Sequence, residues 1–380
     1  MLKILVPAIA SGVVAALLSF FSTLALVVSA LTLVGASPGD LASAITASCA
    51  GIAMLGGWLS WRWRMPILVS WSVPGAALLA GLSGFQHFQL AVGGFVFSAA
   101  LMLAIASWPP LIRQMARLPT GLSAALLAGL LFPFALGAVQ TFEHSWLLGA
   151  VSLAAYLLGR RLAPSYAVVF VMLALALALY WVPGEGHGAA LAFASGLDWT
   201  WPQFALTTLI SLGVPLCVVS LVAQNLPGLA LLRQQGYQPA VGRVLWCTAG
   251  VSLLLAPLGV FGLNLAPISA ALCSGADGEG ACARRVQASL AYAATYAVLA
   301  LCSAPLLQLF SELPRAAILA VTGFALLVPL GKSLERLLLD ERHREAGMMT
   351  FLTGASGVAL AGVGASFWAL LVGILAVVML

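Results

Sequence analysis

Long apolar stretches, separated by short polar segments, recur along the whole chain. Each has about the length that a helix needs to cross a bilayer, which is roughly 20 residues. Fourteen such stretches are predicted, near residues 4–33, 41–60, 66–82, 90–108, 119–138, 145–159, 164–182, 202–223, 241–256, 258–273, 286–303, 314–331, 346–361 and 364–380. Merging the short ones would give twelve spans, and either count is even. The pattern predicts an all-α polytopic membrane protein.

The composition is that of a chain embedded in a lipid bilayer. Of its 380 residues, 62% are hydrophobic and only 7% are charged, whereas a soluble domain carries roughly 25% charged residues. The net charge of +5 does not indicate a nucleic-acid ligand, because the basic residues sit in small groups between apolar runs. The first apolar stretch lacks a small-residue cleavage site followed by a soluble domain, so it is predicted to be a retained span.

The distribution of charge predicts the orientation of the spans. With the N-terminus in the cytoplasm, the inner loops collect every Lys and Arg except Arg315. The outer loops then hold the acidic residues Asp40, Glu143, Glu185 and Asp198. This asymmetry follows the positive-inside rule. Both termini are therefore expected in the cytoplasm, with the chain in a bacterial cytoplasmic (inner) membrane.

The two halves of the chain resemble each other. Adding 195 to a residue number takes Pro7, Pro110 and Pro119 onto Pro202, Pro305 and Pro314, and an offset of 193 takes Pro74 onto Pro267. The repeats are predicted at residues 1–185 and 198–380. Because seven spans per half is odd, the second copy enters the membrane with the opposite orientation. Inverted repeats of this kind are common in secondary transporters.

The third and tenth predicted spans are interrupted. Residues 65–78 contain two prolines and one glycine, and residues 256–272 contain two prolines and two glycines. Proline disfavours helix in the residue before it but suits the first turn of a new helix. Each segment is therefore predicted as an extended piece that leads into a half-helix near Pro74 or Pro267. Paired interruptions of this kind point to a transport site, and helix N-termini suit a small anion.

The candidate binding residues follow from this geometry. The interrupted spans offer Ser70, Ser72, Gly75, Ala76, Asn264, Ile268 and Ser269. The first and eighth spans add the polar residues Ser19, Ser22, Thr23 and Ser211, and the aromatic residues Phe20, Phe21 and Trp71 could stack on an aromatic ligand. Each hydroxyl could instead be a group that packs helices together or bonds back to its own helix. Each aromatic ring could instead be an ordinary core or lipid-facing residue.

Ionisable and catalytic groups are sparse. No Asp, Glu, Lys, Arg or His lies in the interior of a predicted span, although proton-coupled carriers often place a carboxylate there. A transported proton could travel on the carboxyl group of the substrate, or be handled by Glu143, Asp198 or another residue near a span end. The cysteines form no metal-ligand motif. No clustered set of catalytic residues indicates an enzyme or a cofactor. The polar stretch from Lys332 to Glu345 is expected to be a solvated inner loop.

Several segments resemble a known family. Residues 224–239, which begin Gln-Asn-Leu-Pro-Gly, resemble the signature loop that follows the eighth span in the benzoate/proton symporter (BenE) family. The signature residues are Gln224, Asn225, Pro227 and Gly228. Residues 72–78 and 264–275 resemble the third and tenth spans of the same family. The likeness covers nearly the whole chain in length and span order.

The resemblance implies a carrier for aromatic carboxylates with a fold similar to uracil permeases and sulfate-permease-type transporters. Such folds divide into a core domain (spans 1–4 and 8–11) and a gate domain (spans 5–7 and 12–14), with substrate between the third and tenth spans. Relatives often dimerise through the gate domain, which leaves a homodimer as one alternative. Uracil-permease relatives use acidic residues where this chain has Ser211 and Asn264, a difference that suits an anion and leaves the coupling ion open.

Two functional hypotheses follow. The leading one is a secondary active transporter that imports benzoate or a related aromatic carboxylate by proton symport with alternating access. The alternative is a channel or exchanger for small inorganic anions on the same fold. A membrane enzyme is not expected.

Overall fold

The computed structural model describes residues 2–82, 87–110, 112, 119–181, 196–273, 281–311, 313–358, 360 and 363–379. Glu185 and the predicted end of the first repeat lie outside these residues. The elements of the first half are α1 (Leu2–Leu33), α2 (Pro38–Trp63), β1 (Val69–Trp71), α3 (Val73–Ala80), α4 (Phe88–Ala106), α5 (Thr120–Ala135), α6 (Gly137–His144), α7 (Trp146–Leu162) and α8 (Ala167–Trp181).

The second half repeats this order. Its elements are α9 (Leu206–Gln234), α10 (Val241–Leu255), β2 (Leu263–Leu265), α11 (Pro267–Cys273), α12 (Ala281–Leu301), α13 (Ser303–Ser311), α14 (Arg315–Leu339), α15 (Arg344–Ala355) and α16 (Ala365–Met379). Short 3₁₀ turns lie at Pro164–Tyr166, Ala256–Leu258 and Glu341–His343. Two single-turn π-helical segments, Leu209–Gly213 and Leu221–Asn225, interrupt the regular winding of α9.

The predicted membrane architecture is confirmed. Within the described residues, seven helices are long and apolar enough to cross a bilayer unaided. The remaining spans are shorter helices, the long but less apolar helix α12, or a strand followed by a half-helix. Thr120 and Arg315, which begin α5 and α14, are separated by the predicted offset of 195. The chain therefore folds as two inverted seven-span repeats with discontinuous third and tenth spans.

Local sequence explains where the helices begin and bend. Ser37 and Asp40 form a reciprocal capping box at the start of α2, which satisfies two backbone donors that the helix leaves unpaired. Pro133 lies in α5 shortly before α6 continues the same span, and an internal proline removes one helical hydrogen bond and bends the axis.

Two predicted span ends are wrong. The eighth span continues past residue 223 to Gln234, and the twelfth continues past residue 331 to Leu339. The stretch that begins at Lys332 is therefore partly helical rather than a solvated loop. Its Lys, Glu and Arg residues are good helix formers, and their long side chains can reach water while the backbone stays helical.

The contacts between helices place the interrupted spans inside the bundle. Helix α12 packs against α1 and α2, and α4 packs against α9 and α10. A second group of contacts joins α5 to α14 and α15, and α7 to α8. Strands β1 and β2 and the half-helix α3 lie among α1, α2, α9 and α10. The division into core and gate domains stays a prediction.

Candidate functional site

The two interrupted spans meet at an antiparallel strand crossing. Strand β1 pairs with β2, and Ser70 lies opposite Asn264 in the register. Both strands are fully buried. Because each strand pairs with the other, the backbone polar groups that face the partner strand are satisfied at membrane depth, where extended backbone is otherwise costly. The chain then turns directly into α3 on one side and α11 on the other, as the sequence predicts.

An aromatic cluster covers one side of the crossing. Phe20 of α1 lies against Trp71 of β1, with ring centroids 5.5 Å apart. Tyr296 of α12 lies 6.4 Å from each of those two rings, and Tyr292 lies 4.9 Å from Tyr296. All four side chains are buried. These separations are those of ordinary aromatic pairs, so the cluster is a packed set of ring faces and edges.

Hydroxyl groups lie beside the rings. The Tyr292 hydroxyl donates to Ser19 Oγ at 3.3 Å, and Ser19 Oγ lies 3.4 Å from Ser70 Oγ. Tyr292 also lies close to the hydroxyl of Ser269 at the start of α11. The Trp71 indole donates to Thr23 Oγ1 at 2.7 Å. Four elements, α1, β1, α11 and α12, therefore contribute to one cluster of hydroxyl and aromatic groups.

The start of α3 is already capped. The Ser72 hydroxyl accepts from the backbone N–H of Gly75 at 3.0 Å and lies 3.1 Å from the hydroxyl of Ser220. The N–H of Ala76 donates to the Ser72 carbonyl at 2.8 Å. Ser72, Gly75 and Ala76 were expected to present donors to a ligand, and in this conformation those donors are engaged within the protein. The physical reason is N-capping, which satisfies the orphan donors of a helix start.

Helix α9 supports the crossing through two side-chain amides. Gln224 Nε2 donates to the carbonyl of Trp71 at 3.1 Å. Asn225 Nδ2 donates to Asn264 Oδ1 at 2.7 Å, and Asn225 Oδ1 accepts from the backbone N–H of Leu265 at 3.0 Å. Both residues are buried in the second π-helical turn of α9. π-helical turns are rare and often mark functional positions.

The predicted signature loop is therefore helix. Gln224 and Asn225 end the π-helical turn, and Pro227 and Gly228 lie in the regular helix that follows. The expectation of a loop is wrong because a proline in the first turn of a helical segment is tolerated and does not end it. A Cβ on Gly228 would lie 2.6 Å from the Cβ of Leu265, so this glycine permits the close approach of α9 to β2.

Three candidates lie apart from the cluster. Ser22 Oγ donates a long hydrogen bond of 3.4 Å to the carbonyl of Ser19 in the same helix. Ser211 lies in the first π-helical turn of α9, more than two helical turns before Ser220. Ile268 lies in the first turn of α11, and its side chain falls outside the described part of the structure. None of the three has a described side-chain contact with the crossing.

Sequence reasoning missed the α12 side of the site. Tyr292 and Tyr296 are two of only six tyrosines in the chain, and their i, i+4 spacing puts both on one helix face. That spacing within an apolar span was a usable signal. Ser220 was missed as well, since nothing in the sequence marks it among the serines of this chain.

The site carries no fixed charge among the residues described around the crossing. Its polar groups are hydroxyls, amides and backbone groups. In the described part of the chain, no group of three His, Cys, Asp or Glu residues is placed to hold a metal ion. Aromatic rings beside uncharged hydroxyl donors are groups that can hold a ligand's ring and hydrogen-bond an acceptor attached to it.

Comparison with known proteins agrees with this architecture. The chain is 30% identical over 370 residues to inner membrane protein YdcO of Escherichia coli, covering 97% of this chain and 94% of that protein. It is 28% identical over 367 residues to the benzoate membrane transport protein of Acinetobacter baylyi, covering 96% and 93%.

Solved structures share the fold at low identity. The transmembrane domain of the cyanobacterial bicarbonate transporter BicA matches with a TM-score of 0.61 and 12% identity, covering 98% of this chain and 96% of that one. SLC26A9 matches with a TM-score of 0.62 and 10% identity, covering 97% and 65%. The family described as benzoate membrane transport protein (BenE) matches residues 3–379. The chain therefore belongs to the benzoate membrane transport protein family.

Proposed function

We propose that this protein is a secondary active transporter that imports benzoate or a related aromatic carboxylate together with protons. The observation that carries the proposal is the joint presence of aromatic rings and hydroxyl donors on the crossing of the two interrupted spans. The family's name and that of the Acinetobacter baylyi relative support benzoate as the substrate. The membrane would be the bacterial cytoplasmic membrane, with both termini in the cytoplasm.

The aromatic cluster would hold the ring of the substrate. Phe20, Trp71 and Tyr296 present apolar faces and edges on three different elements. Offset or edge-to-face contacts between aromatic rings contribute about 0.5–1.5 kcal/mol each beyond the burial of area. Because the protein rings contact one another in this conformation, a ligand would have to separate them. Binding would therefore open the aromatic cluster.

The hydroxyl groups would receive the carboxylate. Ser19, Ser70 and Tyr292 lie within a few ångströms of one another, and Ser269 lies close by at the start of α11. Hydrogen bonds to a carboxylate are shorter and about twice as strong as those between neutral groups. Each hydroxyl can reorient its proton toward the ligand, so a neutral site can bind an anion.

Proton coupling would follow from this neutrality. A carboxylate that crosses a low-dielectric site with no cationic partner is costly, and protonation removes its charge. Glu143 lies at the end of α6, and Asp198 lies beside the start of α2, where its carbonyl accepts from Ser43. Neither residue belongs to the cluster at the crossing. We therefore propose that the substrate binds as the carboxylate and then takes up the transported proton on its own carboxyl group, before the site opens to the other side of the membrane.

Alternating access would arise from movement of the gate spans. Val73, the first residue of α3, packs against a cluster formed by α5 and α14. Sliding of spans 5–7 and 12–14 against the remaining spans would expose the crossing first to one side and then to the other. A homodimer formed through the gate spans is a further prediction, which chemical crosslinking in the membrane would test.

Uptake into proteoliposomes tests the proposal. Purified protein is reconstituted, and entry of labelled benzoate is followed with and without an inward proton gradient. We expect accumulation above the external concentration with the gradient, and loss of accumulation when a protonophore is added. Equal entry under both conditions contradicts proton symport. Gradient-independent exchange of chloride, bicarbonate or sulfate without benzoate entry would instead favour the inorganic-anion alternative.

A further inference from the structure

A small cavity lies beside the crossing, and none of the aromatic cluster's four rings is among its lining residues. Its walls come from α4, α9, α10 and the β2 region, and its volume is about 20 Å³. The polar groups that line it are Ser98, Ser220, Ser252 and Asn264. All four residues are buried. The cavity is therefore polar although it lies in the interior of a very apolar protein.

The orientation of the Asn264 amide is fixed by the backbone. The N–H of Leu265 can only donate, so the Asn225 atom that it contacts at 3.0 Å is the oxygen. The Asn225 nitrogen then donates to Asn264 at 2.7 Å, which makes the accepting atom of Asn264 its oxygen. The other end of the Asn264 amide is therefore its NH₂ group. This group is buried and has no hydrogen-bond partner among the described residues.

The serine hydroxyls around the cavity are partly committed. Ser252 Oγ donates to the carbonyl of Thr248 at 2.7 Å and accepts from the N–H of Leu263 at 2.8 Å. Ser220 shares a hydrogen bond with Ser72 at 3.1 Å. A hydroxyl has one proton and two lone pairs, so Ser220 and Ser252 each keep further capacity for a bond.

The chemistry of the lining selects the occupant. A buried NH₂ group needs a hydrogen-bond acceptor, and leaving the donor unsatisfied costs free energy. A metal cation does not fit, because it cannot accept a hydrogen bond. An anion would lie unpaired at membrane depth, since no cationic side chain among the described residues lines the cavity. A volume of about 20 Å³ is enough for one water molecule, which needs at least about 10–15 Å³ and two to four polar partners.

We propose that one structural water occupies this cavity, accepts from Asn264 Nδ2 and bonds to the hydroxyls of Ser220 and Ser98. Through Ser220 the water is linked to Ser72, which caps α3. Through Asn264 it is linked to β2. The water therefore connects the interrupted span of the first repeat to that of the second, in addition to the strand pairing. This inference does not depend on the identity of the transported substrate.

A density map of the full chain in nanodiscs, at about 2 Å resolution, tests the proposal. We expect one solvent peak within hydrogen-bonding distance of Asn264 Nδ2 and Ser220 Oγ. An empty cavity overturns the proposal, and so does a peak whose distances and density identify a metal ion or chloride. The unfolding temperature should not change when chloride is replaced by nitrate, or sodium by potassium; a dependence on either ion also overturns it.

Two variants of Ser98 add a second test. Ser98→Val places a methyl group in the cavity, so the water peak should vanish and the unfolding temperature should fall by about 2–4 °C. Ser98→Ala keeps room for the water, so the peak should remain even if Ser98→Val does not fold. Ser289→Val is the control, because Ser289 is buried in α12 and its one side-chain hydrogen bond among the described residues is to Val286 of the same helix. A peak in Ser98→Val, or equal destabilisation by Ser289→Val, contradicts the proposal.

Discussion

The indole nitrogen of Trp71 donates a hydrogen bond to the hydroxyl of Thr23 at 2.7 Å. The two residues belong to β1 and α1, and both are buried. Thr23 in turn donates to the carbonyl of Ser19 at 2.7 Å. This chain of bonds sets the orientation of the largest ring in the aromatic cluster relative to the hydroxyl that faces Tyr292.

Replacement of Thr23 by valine should weaken benzoate binding. Valine keeps the shape of the side chain but leaves the buried indole N–H without its acceptor, a loss of about 1–3 kcal/mol. If the indole reorients, the affinity for benzoate should fall by about tenfold, measured by equilibrium binding of labelled benzoate. Thr32→Val is the control, since Thr32 lies exposed at the far end of α1 and its hydroxyl donates to the carbonyl of Val28 in the same helix. Equal affinities in the two variants would show that Thr23 does not position Trp71 for binding.

Removal of the Tyr292 hydroxyl should separate recognition of the carboxylate from that of the ring. Tyr292→Phe keeps the aromatic face and deletes the donor to Ser19. A hydrogen bond to a charged group is worth about 1.5–3 kcal/mol, so benzoate affinity should fall by at least tenfold while the unfolding temperature changes little.

Tyr156→Phe is the matched control for that variant. Tyr156 packs against Phe324 at 4.9 Å, far from the strand crossing. If Tyr292→Phe keeps wild-type benzoate affinity, or if Tyr156→Phe loses as much affinity, then the Tyr292 hydroxyl does not bind the carboxylate.

Gly228 should be intolerant of a side chain. Gly228→Ala would place a Cβ 2.6 Å from the Cβ of Leu265 and push α9 away from β2. Overpacking of this kind costs about 1–3 kcal/mol, so the unfolding temperature should fall. Gly331→Ala is the control, because Gly331 lies within α14 and no atom of the described residues comes within 4 Å of an added Cβ. There, alanine should be neutral or stabilising by up to about 1 kcal/mol. The reverse order of stabilities would contradict the packing described for α9.

The orientation of the chain is open to direct labelling. In a cysteine-free background, cysteine at Trp201 should react with a membrane-impermeant maleimide in spheroplasts, and cysteine at Glu341 should react only after lysis. Trp201 is 75% exposed in the segment before α9, and Glu341 lies between α14 and α15. The expectation follows from the positive-inside distribution of Lys and Arg. The opposite pattern would place both termini outside the cytoplasm.

Much of the architecture could be predicted from the sequence because lipid imposes simple rules. Span length, the matching prolines and the loop charges depend on local composition, and they yielded the fourteen spans and the interruptions before Pro74 and Pro267. The strand pairing of Ser70 with Asn264 could not be derived in this way, since register depends on contacts between distant segments.

The candidate site was predictable only in part. Ser19, Phe20, Ser70 and Trp71 do meet at the crossing. The role of Ser72 as a helix cap was missed, because a serine before a proline-started helix can face either a ligand or its own backbone. Gln224 and Asn225 were placed in a loop after the eighth span, because the resemblance to the BenE family puts its signature there. In the structure, the carbonyl of Trp71 and the N–H of Leu265 satisfy those amides.

The position of a bound ligand tests the central claim most directly. A structure of the protein with 4-bromobenzoate would locate the bromine by anomalous scattering and the carboxylate by density. The ring is expected in contact with Phe20 and Trp71, with the carboxylate within hydrogen-bonding distance of at least two hydroxyls among Ser19, Ser70 and Tyr292. A ligand bound away from the strand crossing, with the aromatic cluster still closed, would contradict the account.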